Sequence, residues 1–430
     1  MSDSSALLTD HYEFTMLEAA LRDGTAQRDC VFEVFTRRLP RDRAYAVVAG
    51  TGRLLDLVAA FRFGPQELAH LAGAGVVSEQ TLEWLAGYRF TGDIDGYAEG
   101  EVFLPGSPIL SVRGDFASAV LLETVVLAVL NHDVAVASAA SRMWVQAGGR
   151  PLIEMGSRRT HEEAAVAAAR AAYLAGFAST SNVEAGRRFG IPTAGTAAHA
   201  FTLLHDTEQE AFTSQVAALG TGTTLLVDTF DTLEGVRRAL AVAGPGLGAV
   251  RIDSGDLAAV AREVRALLDA AGAHGTRIVA TSDLDEYALA ELADAPIDAY
   301  GVGTAVVTGS GSPAAGLVYK LVAVDGRPVA KRSGGGKDSR GGRKAGYRPL
   351  DAGGIATAEV VRQLATDQDP VGSGAPGERA LTVPFVRGGQ RVAVTPLGQA
   401  RQRHERSVLE LPEAARALRA AGPALTVRWG

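Results

Sequence analysis

The sequence predicts an α/β protein built on a parallel sheet curled as a barrel, with its site at the C-terminal ends of the strands. Three observations carry that prediction. Four apolar runs, Leu225–Asp228, Ala249–Asp253, Arg277–Asp283 and Ala299–Thr304, each end in Asp, Ser, Thr or Gly. The first three lead into helical patterns beginning near Thr232, Leu257 and Glu286, which is the rhythm of βα units. On either side, before Arg113 and after Gly316, the pattern changes to short turn-punctuated β pieces.

Taken in order, Leu7–Leu21 reads as a helix capped by Thr9 or Asp10, with Glu13 placed to complete a capping box. Its aromatic residues Tyr12 and Phe14 read as packing residues. Val31–Phe35 alternates like a strand, and Leu54, Leu57, Val58 and Phe61 recur at helical spacing. Thr91–Arg113, broken by Gly92, Gly96, Gly100, Pro105, Gly106 and Pro108, predicts a small, largely antiparallel sheet. Two helices are expected over Phe116–Leu130 and Val134–Ala147. The most membrane-like run, Ala117–Leu130, is too short to span a bilayer and carries Glu123 and Thr124.

Leu152–Arg159 is strand-like and ends in two arginines. Thr160 and Glu163 form a capping-box pattern that opens an alanine-rich helix to about Leu174. Ala178–Asn182 and Gly195–His199 are polar turns among small residues. After the βα units, Leu317–Val324, Asp325-Gly326 and Arg327–Lys331 read as a hairpin. Arg332–Arg348, with Lys337, Arg340, Arg343 and Lys344, is expected to be a mobile basic loop, and Asp351–Arg379 to be poorly ordered. A hairpin at Gly388-Gly389 and an Arg-rich helical tail follow.

Composition limits the function classes. The 430 residues are 47% hydrophobic and 21% charged, as in an ordinary globular protein of two or three domains. A formal charge of −7 argues against non-specific nucleic-acid binding. The single cysteine, Cys30, excludes a disulfide framework and a cysteine-rich zinc site. No secretory pattern follows Met1, and a cytoplasmic protein is expected. There is no P-loop and no convincing Gly-x-Ser-x-Gly elbow, and His161 and His205 lack ligand-spaced partners. Gly244–Ala249 fits a dinucleotide fingerprint but precedes a strand instead of opening a helix.

The strand ends gather the chemistry. In Asp253-Ser254-Gly255-Asp256, a carboxylate, a glycine and free N–H groups stand at a helix start; the alternative is that Ser254 or Asp256 merely caps that helix. Asp253 and Asp283 suit sugar hydroxyls or a metal. Gly301-Val302-Gly303-Thr304 suits a phosphate or is a tight turn. Arg158, Arg159 and Arg251 suit an anionic substrate or are structural ion pairs. His199, flanked by small residues, is either a structural histidine or a nucleophile. Together these suggest a phosphorylated sugar beside an acidic small molecule.

Seven pieces in order, Leu8–Tyr12, Glu154–Arg159, Thr180–Asn182, Gly195–His199, Arg251–Leu257, Tyr300–Thr304 and Val318–Leu321, make the chain resemble the nicotinate phosphoribosyltransferases over nearly its whole length. The resemblance implies transfer of phosphoribose from phosphoribosyl pyrophosphate to nicotinate, assisted by ATP and Mg²⁺. It implies an irregular α/β barrel phosphoribosyltransferase domain, an N-terminal α/β domain and a β-containing C-terminal region, here set at 116–322, 1–115 and 323–430.

It further implies that ATP phosphorylates His199, and that Tyr12 stacks on the pyridine ring across a homodimer interface. Thr196 and Arg251 would line the base pocket, Arg251 pairing with the nicotinate carboxylate. With the strand-end reading, Arg158, Asp253, Ser254, Gly255, Asp283, Gly301, Gly303 and Thr304 become the phosphoribosyl and phosphate candidates, and Asp253 and Asp283 the metal candidates. A nicotinamide-using relative and a non-catalytic nucleotide sensor are the rival readings.

Overall fold

A computed structural model describes residues 4–40, 43–332, 339–365, 368–370, 374–392, 395–419 and 422–430. The chain divides into two compact units, one formed by residues 1–138 and 312–430 and the other by 139–311.

The first unit is organised by antiparallel pairing between distant parts of the chain. Strand Asp29–Thr36 is buried nearly throughout and lies between Leu317–Val324 and Leu110–Asp115. Asp93–Tyr97, Thr382–Arg387 and two short hairpin arms complete a seven-stranded sheet among the described residues. Phe32 stacks on Tyr319 at 4.8 Å between centroids, inside a core that also takes Phe14, Leu17, Leu54, Phe61 and Tyr88. The expected hairpin at Asp325-Gly326 forms, with φ of 48° and 73°, the positive pair that a two-residue turn of this twist requires. Gly388-Gly389 does the same at 53° and 75°.

Several expectations are corrected here. Helix His11–Asp23 is not closed by a capping box: Asp10 makes no side-chain cap, and Glu13 turns inward to accept hydrogen bonds from the Thr124 backbone and hydroxyl. The two helices expected before residue 147 are one continuous helix, Glu123–Gln146, after a short turn Phe116–Val120. The polar trio Asn131-His132-Asp133, which reads as a break, is held by tertiary partners instead. Asp133, fully buried, takes both Arg53 Nη1 contacts at 2.8 Å and His132 Nδ1 at 2.8 Å, and the Asn131 side chain bonds the Leu317 backbone. The stretch Phe116–Gln146 is therefore long and apolar enough to cross a membrane, but 67% of its most apolar window is buried within the protein, as in a core helix.

The basic segment is also corrected. Lys337 lies outside the described residues, but Arg343, Lys344 and Arg348 are buried, and Lys344–Pro349 is a strand. Lys344 Nζ meets Glu33 at 2.7 Å, Arg343 meets Asp95 at 2.9 Å, and Arg348, fully buried, meets Glu359 at 3.0 Å. Within 351–379, expected to be poorly ordered or variable, residues 366–367 and 371–373 lie outside the described residues, but Glu359–Gln363 is a strand that pairs with Lys344–Pro349 and, in parallel, with the C-terminal strand Val427–Trp429. The signal was hidden because these cations are neutralised by acids far away in sequence.

The second unit is the predicted parallel sheet. Its strand order is Ser179–Thr180, Leu152–Glu154, Ala299–Val302, Arg277–Ala280, Ala249–Ile252, Thr224–Leu226, all neighbours parallel. It curls as a half-barrel with helices between its strands. Three of the predicted helices start where expected, at Thr232, Leu257 and Glu286. The alanine-rich helix runs Glu162–Leu174, but His161 Nδ1 caps it, accepting from Glu163 N, and not Thr160. Asp256 caps helix Leu257–Ala270 through Ala259 N at 3.1 Å; Ser254 does not cap it.

Candidate active site

The site is built at the strand ends of the second unit, around Arg251. The central strand Ala249–Ile252 buries Ala249, Val250 and Ile252 and leaves Arg251 half-buried at its end. Every nitrogen of that guanidinium is held. Nε donates to Thr281 Oγ1 at 2.9 Å, Nη1 to Thr196 Oγ1 at 3.0 Å and to the Ala197 carbonyl at 3.2 Å, and Nη2 to Asp253 Oδ1 at 3.1 Å. The Thr281 hydroxyl donates in turn to the same Asp253 oxygen. Burial raises the Asp253 pKa, but the hydrogen bonds from Thr281 and Arg251, with a smaller contribution from His199, outweigh it and hold the carboxyl below its usual range.

Asp228 supports this turn from the neighbouring strand end. Its Oδ2 accepts from Asp253 N at 2.8 Å and from Ser254 Oγ at 2.7 Å, while its buried Oδ1 has no hydrogen-bond partner. The next residue, Thr229, bonds His199 Nδ1 at 3.1 Å, and His199 heads the short helix His199–Leu203. Gly255 sits exposed at φ 85°, a conformation that favours glycine.

On the other side, Gly301 lies where a Cβ would come within 2.5 Å of Thr281 Cγ2 and 2.7 Å of Met155 Sδ. Gly303 precedes the short helix Thr304–Val307, and Thr304 is exposed. Arg158 and Arg159 are exposed and pair with no acid among the described residues. Asp283 is exposed too, next to Ser282, whose φ of 148° is strained for a residue with a side chain.

The structure thus joins Thr196, His199, Arg251, Asp253, Ser254 and Gly301 through direct contacts or single intermediaries. Gly303, Thr304 and Arg158 follow on the adjoining turns, and Asp283 stands on the same edge with no bonded partner among the described residues. Tyr12 belongs to the first unit; the residue is 45% exposed, and burial of its hydroxyl together with Glu123 pushes its pKa up to about 12. Sequence reasoning missed Asp228, Thr229 and Thr281. Each ends or follows a strand already recognised, so the rule that strand ends carry the site would have found them.

Among the described residues no three His, Cys, Asp or Glu side chains are grouped to hold a metal. A magnesium ion needs only one or two protein carboxylates, completing its shell with water and substrate phosphate. Asp253 and Asp283 follow paired strands, Ile252 being opposite Ala280.

The chain is similar to known proteins over most of its length. Residues 7–131 match the nicotinate phosphoribosyltransferase (NAPRTase) N-terminal domain. The nicotinate phosphoribosyltransferase pncB1 of Mycobacterium tuberculosis is 56% identical, covering 99% of this chain and 95% of its own length. This chain belongs to the nicotinate phosphoribosyltransferase family. Another member, from Bacillus subtilis, is 39% identical over 81% of the chain and 74% of its own length. The crystal structure of human nicotinic acid phosphoribosyltransferase superposes with a TM-score of 0.85 at 27% identity, covering 98% of this family member and 97% of the human chain.

Proposed function

We propose that the protein transfers phosphoribose from phosphoribosyl pyrophosphate to nicotinate, releasing pyrophosphate and forming nicotinate mononucleotide. The observation that carries the reading is Arg251: a guanidinium held on three sides, beside Thr196, among acids and glycines at the strand ends. Family membership supports the same substrates.

In this reading the anomeric C–O bond breaks, pyrophosphate leaves with its electron pair, and the pyridine nitrogen supplies the pair for the new C–N bond. Such a reaction needs placement and charge more than a strong base. Arg251 fixes the nicotinate carboxylate, with Thr196 beside it, and Tyr12 stacks on the ring across a homodimer interface. Asp253, with Ser254 and Gly255, takes the ribose hydroxyls. Gly301, Gly303, Thr304 and Arg158 hold the phosphates. Asp253 and Asp283 would hold Mg²⁺, which supplies charge neutralisation on pyrophosphate.

ATP coupling runs through His199. Its Nδ1 is engaged by Thr229, so Nε2 is the nitrogen that accepts the phosphoryl group, ADP leaving and water later releasing phosphate. The reaction is assigned to the cytoplasm, which suits a protein whose sole cysteine is a buried thiol.

The test is product formation from nicotinate or nicotinamide, each with phosphoribosyl pyrophosphate and Mg²⁺, with and without ATP. Nicotinate-only turnover that rises with ATP, and loses that rise in His199→Ala, is expected. Turnover with neither base overturns the reading.

A further inference from the structure

Two features of the second unit have no part in the chemistry above. One is the turn Thr180-Ser181-Asn182; the other is Glu154, whose side chain is fully buried. Among the described residues Glu154 faces no guanidinium or ammonium, an expensive arrangement for a carboxyl group. Its oxygens are nevertheless saturated in a specific way. Oε1 accepts from Gly156 N at 2.5 Å, and Oε2 accepts from Thr180 Oγ1 at 2.5 Å.

Those two bonds fasten together two turns. Thr180 Oγ1 also accepts from Asn182 N at 2.9 Å, and Asn182 Nδ2 reaches back to Ser157 Oγ at 3.0 Å. The turn Met155–Arg159 is thereby tied at Gly156 and Ser157, immediately before Arg158. Its underside rests on the phosphate-side turn. Met155 N donates to the Val302 carbonyl at 2.8 Å, and a Cβ on Gly156 would lie 2.2 Å from Val307 Cγ1 and 2.9 Å from the Gly303 carbonyl. No slack is left between the turn bearing Arg158 and the turn bearing Gly303 and Thr304.

We propose that Glu154 is the positioning residue for Arg158, acting through Gly156 and the Thr180–Asn182 turn to fix where that guanidinium meets the phosphates of phosphoribosyl pyrophosphate. This rests on the phosphoribosyl-transfer reading, which makes Arg158 a phosphate contact. Glu154 acts as a double hydrogen-bond acceptor and touches no substrate itself.

The experiment is a double-mutant cycle between Glu154→Ala and Arg158→Ala in the full-length protein. It reads the KM of each substrate, kcat, and the Kd of inorganic pyrophosphate with Mg²⁺ by calorimetry. Glu154→Ala is expected to raise the KM of phosphoribosyl pyrophosphate and the pyrophosphate Kd about tenfold, with kcat and the nicotinate KM within about twofold. Glu154→Gln, whose amide oxygen still accepts from Gly156, should recover most of the loss. In the Arg158→Ala background, Glu154→Ala should add nothing further.

Full additivity overturns the proposal, as does a parallel fall of every parameter with the melting temperature. If Glu154→Ala does not fold, Thr180→Val removes one of the two bonds and carries the same comparison. Wild-type protein that neither turns over nor binds pyrophosphate would sink the functional reading and this inference with it. Wild-type turnover with an unmoved KM in the variants sinks the inference alone.

Discussion

Arg251 and Asp253, two positions apart at the end of one strand, form a 3.1 Å ion pair that Thr281 closes into a ring by bonding both partners. The guanidinium is therefore fixed in orientation, and on the proposed reading the nicotinate carboxylate would meet a pre-organised cation.

Arg251→Ala should reduce kcat/KM for nicotinate about 10- to 100-fold, the worth of a charge-assisted contact of about 1.5–3 kcal/mol. Any nicotinamide use should change much less, because an amide needs no cation. Parallel kinetics with the two bases check this, and equal losses would refute the carboxylate assignment.

Thr229→Val removes the hydrogen bond to His199 Nδ1 while keeping the side chain's volume. A neutral hydrogen bond is worth about 1 kcal/mol, so stimulation by ATP should fall about fivefold while ATP-independent turnover stays near wild type. Rates measured with and without ATP decide it, and undiminished stimulation would count against the bond's role.

Arg348→Met should cost about 3–5 kcal/mol of stability, since it strands buried acids without their cation. Glu101 and Glu410 keep Arg379, but among the described residues Glu359 forms an ion pair only with Arg348, at 3.0 Å. Adding Glu359→Gln to Arg348→Met should therefore recover part of the loss, as read from denaturant midpoints. A double variant no better than the single would show that the loss lies in packing.

Two buried groups of the first unit contribute to its pH response in opposite directions. Burial, the largest influence, pushes Glu13 up to about 8, so the folded chain keeps a proton that the unfolded chain releases above about 4.5. Its contribution is complete below that value and is lost as pH rises through 8, at up to about 1.4 kcal/mol per unit. Burial lowers His404 to about 3, so its contribution is complete above about 6.5 and is lost as pH falls towards 3. Melting curves should flatten on the alkaline side in Glu13→Gln and on the acid side in His404→Gln. Curves parallel to wild type would refute these two assignments.

The parallel sheet was legible because five of its six strands announce themselves locally, as apolar runs closed by polar turns; the edge strand Ser179–Thr180 is two polar residues and read as part of a turn. Arg251 and Asp253 could be chosen for the same reason, since they stand at and just past a strand end; His199, at the head of a short helix, was picked out by its small neighbours and the family resemblance instead. What was not legible depends on partners far away in sequence. Arg343, Lys344 and Arg348 read as a solvated loop because Asp95, Glu33 and Glu359, which neutralise them, are invisible locally. Likewise Glu13 looked like a capping residue until Thr124 claimed it. Asp228 closes a run already recognised, so as a strand-end acid it was open to view; only its partner, the Asp253 turn, needed the fold.

The first unit is made from both ends of the chain, and its strand Asp29–Thr36 finds one neighbour only in Leu317–Val324. On a ribosome, the whole of 139–311 emerges between them, which takes roughly ten to thirty-five seconds at typical elongation rates. Throughout that interval one edge of an apolar strand is bare, while the intervening unit, contiguous in sequence, can already close its own sheet. Newly made chains should thus pass through a stage with a finished middle and an unfinished beginning, in which Val31, Phe32 and Val34 are open to chaperones or to a neighbouring nascent chain.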